Sequence, residues 1–146
     1  MFLADKLQRL IDEFGPLCDP HDRLSAVIDR AKRIPPLEAK DRVDANRVHG
    51  CVSVVWLAGE CTAGRCYFRA DAESPVVRGL VIFLCDFFNG APVAEVADTD
   101  VDPLETLGLL QNLSPTRRNG LVAAQNAIRA FAGSSPLARR EDDAEK

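Results

Sequence analysis

The sequence predicts an α+β fold, a small antiparallel sheet of about three strands flanked by helices. Apolar residues recur at helical spacing before residue 32 and again after residue 74. Between residues 52 and 70 the pattern changes to short runs of β-branched and aromatic residues. The order is therefore helices, strands, helices, without the interleaving that a parallel sheet requires. A chain of 146 residues suits a single core. The expected domain spans 1–132, followed by a polar, flexible tail over 133–146, which reads GSSPLARREDDAEK.

The elements follow in order. Leu3, Leu7, Leu10, Ile11 and Phe14 form one helical stripe that stops at Gly15-Pro16. Asp19-Pro20 is an N-terminal signature for a second helix, with Leu24, Val27, Ile28 and Ala31 inward and Pro35-Pro36 as its end. The stretch 37–46 is polar, with one short strand expected near its end. Val52 to Leu57 and Cys66 to Ala70 read as strands, the second placing Arg65, Tyr67 and Arg69 outward. The residues between, Gly59 to Gly64, are short enough for a hairpin. If Ala63-Gly64 is a two-residue turn, Thr62 pairs with Arg65 and Cys61 faces Cys66. Ser74-Pro75 opens a very apolar helix that runs through Phe88 to Asn89-Gly90, the expected central core helix. Short helical pieces follow to Leu110. Ser114-Pro115 starts a last helix with Leu121, Ala124, Ile128 and Phe131 inward.

Composition excludes several functions. The net charge of −4 disfavours a general nucleic-acid partner, which calls for a basic excess. The start, MFLADKLQRLIDEF, is amphipathic and unlike a secretory signal. The longest apolar stretch, Val76 to Phe88, would reach roughly 20 Å as a helix, short of a ~30 Å hydrocarbon slab. The expected setting is soluble and cytoplasmic, with no membrane partner. Five cysteines in a reducing compartment are expected as free thiols, metal ligands or redox groups.

Two stretches carry the candidate chemistry. In RVHGCVSVVW, Gly50 can adopt backbone conformations closed to other residues and so present Cys51 at a loop tip. Cys51 is the candidate nucleophile, and His49 is the nearest candidate base or charge partner. A packed, inert Cys51 is the alternative, since free cysteines are commonly buried. In LSPTRRNGL, Arg117 and Arg118 stand in the first turn of a helix, where cations oppose the helix dipole at about 0.3–1 kcal/mol each. Gly120 in the same helix costs about 1 kcal/mol relative to Ala. Local rules broken together mark a candidate site; the alternative is two screened surface arginines. His49, Cys51, Cys61 and Cys66 could instead supply an N/S set for zinc or an iron–sulfur cluster, although their spacings lack a C-x2-C knuckle. The Cys61–Cys66 pair is expected to be reduced in the cell and oxidisable in air. Cys85 is expected in the core.

Three segments together resemble the SufE family of sulfur-acceptor proteins, over roughly Leu7 to Phe131. NRVHGCVSVVWL is similar to the family's N-x-x-x-G-C-x-S-x-V-W segment around its acceptor cysteine. ADAESPVVRGL is similar to its acidic turn and following helix, and LGLLQNLSPTRRNGL to its L-[ST]-P-[ST]-R-x-x-G-L segment. The resemblance implies an α+β fold with a three-stranded sheet, akin to iron–sulfur scaffold proteins of the IscU type. It implies that Cys51 accepts a persulfide sulfur from a PLP-dependent cysteine desulfurase of the SufS or CsdA type. The chain would stimulate that enzyme and hand the sulfur to a scaffold complex of the SufBCD type. It would thus be an accessory sulfur-transfer protein and not an enzyme, a monomer or weak dimer with no cofactor of its own beyond the transient persulfide. By match, Arg117 is the arginine of the third segment, and Gly50 is the hinge. The sequence departs from the family at Val52 and Val54, where glutamine is common, and at Asp71-Ala72-Glu73, where the usual turn is D-S-D. Cys61 and Cys66 are not part of the family pattern.

Overall fold

The computed structural model describes residues 2–50, 54–111 and 113–134. Its elements are α1 (Phe2–Phe14), α2 (Pro20–Ala31), β1 (Val55–Thr62), β2 (Arg65–Ala72), α3 (Pro75–Phe88), α4 (Val93–Asp98), α5 (Pro103–Thr106) and α6 (Pro115–Gly133). A single 3-10 turn at Asp44–Asn46 precedes β1. The expected tail lies, from residue 135 onward, outside the described residues.

The helix boundaries follow local chemistry. Asp19 caps α2 by accepting the His21 N–H at 2.8 Å, with Pro20 in the first helical position. Ser114 caps α6 by accepting the Arg117 N–H at 3.3 Å. Asn89 and Gly90 end α3, Gly90 with φ +82°. Ten of the fourteen residues of α3 are buried, which makes it the central helix. Phe83 of α3 meets Phe14 of α1 edge-on at 6.1 Å. On α1, Leu3 and Phe14 are buried while Ile11, expected inward, is 38% exposed at the margin of the stripe.

β1 and β2 form an antiparallel hairpin closed by Ala63 (φ +54°) and Gly64 (φ +78°). Two successive left-handed residues make a turn whose twist suits a two-residue hairpin. The register pairs Thr62 with Arg65 and Cys61 with Cys66, as the turn required. Cys66, Phe68, Ala70 and Ala72 face the core, and Arg65, Tyr67 and Arg69 are exposed. β1 runs further than expected, through Gly59, Glu60 and Cys61, so only Ala63-Gly64 connects the strands.

The sheet has two strands among the described residues, not three. The expected third strand is reduced to one bridge, Arg47 to Trp56, reinforced by the Val48 N–H donating to the Val55 carbonyl at 2.9 Å. The 3-10 turn before it and the left-handed Gly50 after it leave too little extended chain for a ladder. The opposite edge, along β2, is covered by residues 89–93. There Phe68 donates to the Asn89 side chain at 2.6 Å and Cys66 to the Ala91 carbonyl at 2.9 Å.

Candidate functional site

The site is built around the short segment that leads into Cys51. Asn46 ends the 3-10 turn and its side-chain amide donates to the Asp41 carbonyl at 2.9 Å. Arg47 and Val48 are then clipped to Trp56 and Val55 of β1. Gly50 follows with φ +94°, a conformation that L side chains rarely adopt. A Cβ there would also lie 3.3 Å from the Cβ of Ala123 on α6. Glycine is thus demanded twice, by the turn and by the close approach to α6.

Cys51, the residue next to Gly50, lies outside the described residues, as do Val52 and Ser53. The other site residues named from sequence are described. His49 is exposed and lines a groove of about 480 Å³. Arg117 is exposed at the start of α6. By helical rise it lies about 9 Å along the axis from Ala123 and about a third of a turn around it. The structure therefore places Gly50 against the middle of α6 and His49 in the adjoining groove, with Arg117 at the start of that helix and on a different face. Arg118 folds back to donate to the Gln111 carbonyl at 3.0 Å, tying the helix start to the segment before it.

The groove is apolar along most of its length. Val48 and His49 form one wall, Leu57, Gly59 and Phe68 the floor, and Ala123, Ala127 and Phe131 of α6 the other wall. Phe68 and Phe131 meet edge-on at 5.6 Å. Gly59 permits this, since a Cβ there would lie 3.0 Å from the Phe131 ring. Sequence reasoning missed Gly59, Ala123 and Ala127 as groove residues. Their signal is smallness at helical spacing opposite a glycine inside a strand.

A buried carboxylate fixes the far side of the sheet. Asp71, in the acidic turn named above, is 3% exposed. It accepts from the backbone of Leu37 (3.0 Å) and Ala72 (2.9 Å), from Arg42 (2.7 Å) and from Arg78 (2.8 Å). Burial alone would push its pKa up, yet these four donors together hold it below the usual carboxylate range. Arg42 in turn lies over the Trp56 ring, 5.6 Å from its centroid. Trp56 is the residue that bridges to Arg47, so Asp71 supports the segment that carries Gly50 and Cys51.

The remaining cysteines separate by environment. Cys18 is exposed. Cys85 is buried in α3, and burial first, then the neighbouring Asp86, pushes its thiol far up. Cys61 and Cys66 face one another with sulfurs 3.9 Å apart. Among the described residues no group of three or more His, Cys, Asp or Glu side chains is placed to hold a metal ion, so His49, Cys61 and Cys66 do not form such a set. No helix among them is long and apolar enough to cross a membrane.

Comparison with known proteins agrees with this geometry. The family model described as SufE, Fe-S metabolism associated domain, matches residues 8–132. An uncharacterized SufE-like protein of Rhizobium etli is 36% identical over 134 residues, covering 88% of this chain and 90% of that protein. An uncharacterized SufE-like protein of Synechocystis is 30% identical over 118 residues, covering 81% of this chain and 74% of the relative. The solution structure of a hypothetical protein from Thermus thermophilus superposes with a TM-score of 0.70 at 21% identity, over 87% of this chain and 93% of that one. That structure bears on the fold alone.

Proposed function

The chain belongs to the SufE family, a domain associated with Fe–S metabolism, and on that premise we propose that it is a persulfide carrier with Cys51 as the acceptor. The observation that carries the reading is Gly50. It is a left-handed glycine pressed against α6, immediately before a cysteine and next to His49, which lines an apolar groove. Such a hinge suits a thiol that reaches into another protein and then returns to cover.

The chemistry is thiol exchange at a sulfane sulfur. The Cys51 thiolate attacks the terminal sulfur of a persulfide held on the cysteine of a PLP-dependent cysteine desulfurase. The donor's S–S bond breaks, the donor leaves as a thiolate, and Cys51 becomes the persulfide. His49 beside the loop and Arg117 at the start of α6 favour the anionic forms of Cys51 or contact the desulfurase. The groove, walled by Val48 and Ala123 and floored by Leu57, shelters the loaded sulfur from reductants. A second exchange passes the sulfur to an iron–sulfur scaffold complex. The protein itself is an accessory factor, since the PLP belongs to the partner.

Removal of sulfur from the desulfurase frees it for another turnover. The rate of alanine formation from L-cysteine should therefore rise when this protein is added with a reductant. The Cys51→Ser variant should leave the rate at its basal value. Equal stimulation by wild type and Cys51→Ser would refute the acceptor role.

A further inference from the structure

The hairpin holds two cysteines that the acceptor chemistry leaves unused. Cys61 and Cys66 are directly opposed, with sulfurs 3.9 Å apart. The Cys66 N–H donates outward to the Ala91 carbonyl at 2.9 Å, and its own carbonyl accepts from the Gly90 N–H at 2.8 Å. The pair therefore occupies a non-hydrogen-bonded position of the hairpin, where side chains approach most closely and Cα atoms are about 4.5 Å apart. That spacing is at the short end of disulfide geometry. The left-handed Ala63 and Gly64 fix the register, so the two sulfurs cannot slip apart.

The two thiols differ in access. Cys61 is half-buried near the hairpin end, whereas Cys66 is wholly buried and its thiol is pushed up to about 12, by burial first and then by Cys61. A small reagent in solution meets Cys61. Cys66 is approached through Cys61, whose sulfur lies 3.9 Å away.

We propose that Cys61 and Cys66 form a dithiol site that reduces small organic disulfides, with Cys61 as the entry thiol and Cys66 as the resolving thiol. The Cys61 thiolate attacks one sulfur of the disulfide, and that S–S bond breaks to release one thiolate. Cys66 then attacks the Cys61 sulfur and gives its proton to the departing sulfur, which leaves as the second thiol. Two protein thiols are oxidised to one disulfide, and the small disulfide is reduced to two thiols. Because the cysteines enclose only a short turn, the bond gains little from loop closure. The site is thus reversible and contributes chemistry more than stability. It is also distant from Gly50. Gly50 packs at Ala123 and Gly59 at Phe131, about 12 Å farther along α6 by helical rise.

The full chain, reduced and then incubated with oxidised glutathione, tests this by intact mass and peptide mapping. Cleavage after Arg47 and Arg65 puts Cys51 and Cys61 on one peptide and Cys66 on the next. All proteins compared, the one with both hairpin cysteines included, therefore carry Cys51→Ser, and a Cys61–Cys66 link then reads as two peptides joined. The protein with both hairpin cysteines should show the Cys61–Cys66 link, the mass loss of two hydrogens, and full reversal by a thiol reductant. Exposed Cys18 should carry an adduct and so serve as an internal control. Cys66→Ala should retain glutathione on Cys61, and Cys61→Ser should leave Cys66 unmodified. A lasting adduct on Cys61 in the protein with both hairpin cysteines would overturn the proposal. So would both of its hairpin thiols free while Cys18 is modified.

Discussion

At the scale of single residues, Asp71 and Gly50 show how chemistry and support are divided. Gly50 turns the chain just before Cys51, and Asp71 holds the frame through Arg42 and Trp56. Arg78 extends that frame, since it also donates to the carbonyls of Ala31 and Ile34 at 2.9 Å each and so anchors the end of α2. Asp71 is depressed in the folded state, against an ordinary aspartate value of about 3.9 in the unfolded chain. A depressed carboxylate contributes stability that is fully present above the unfolded pKa and is lost as pH falls through the folded one. Stability should therefore hold from neutral pH down to about 4 on this account and decline below it. Asp71→Asn should lower stability at neutral pH by about 2–4 kcal/mol, the range for a broken buried pair reduced for the exposure of Arg42. It should also flatten the acid limb. Urea unfolding of both proteins across that range measures this, and parallel acid limbs would contradict it.

At the scale of elements, the central helix and the hairpin turn were legible because local signals agree there. Ser74-Pro75 and Asn89-Gly90 bracket an apolar run, and Ala63-Gly64 accepts the left-handed turn. The third strand was not legible as a single bridge, since one paired residue leaves no periodic pattern. Gly59 read as a loop residue because its reason lies in Phe131, far away in sequence. Gly79 is a similar case, inside α3. A Cβ there would meet the Cα of Ile28 on α2 at 3.1 Å. Alanine at a helix interior normally gains about 1 kcal/mol over glycine. Here the neighbour is backbone and cannot step aside, so overpacking of about 1–3 kcal/mol outweighs that gain. Gly79→Ala should lower the Tm by a few degrees, roughly 2–4 °C per kcal/mol for a chain of this size. A raised Tm in calorimetry would show that α2 and α3 do not pack as closely as described.

At the scale of the whole molecule, helices and sheet converge to bring a sequence-distant wall, α6, against His49 and Gly50. The order of elements and the family could be read from the chain, because segment patterns are local. The groove could not, because Val48, Leu57 and Ala123 meet only after folding. Sulfur transfer needs both parts, a thiol that can leave and a place to which it returns. The most direct test is intact-mass spectrometry of wild type and Cys51→Ser after incubation with a cysteine desulfurase and L-cysteine. The account predicts a gain of one sulfur on wild type, removed by reductant, and none on Cys51→Ser. Sulfur gained equally by both proteins, or by neither with an active desulfurase, would contradict it.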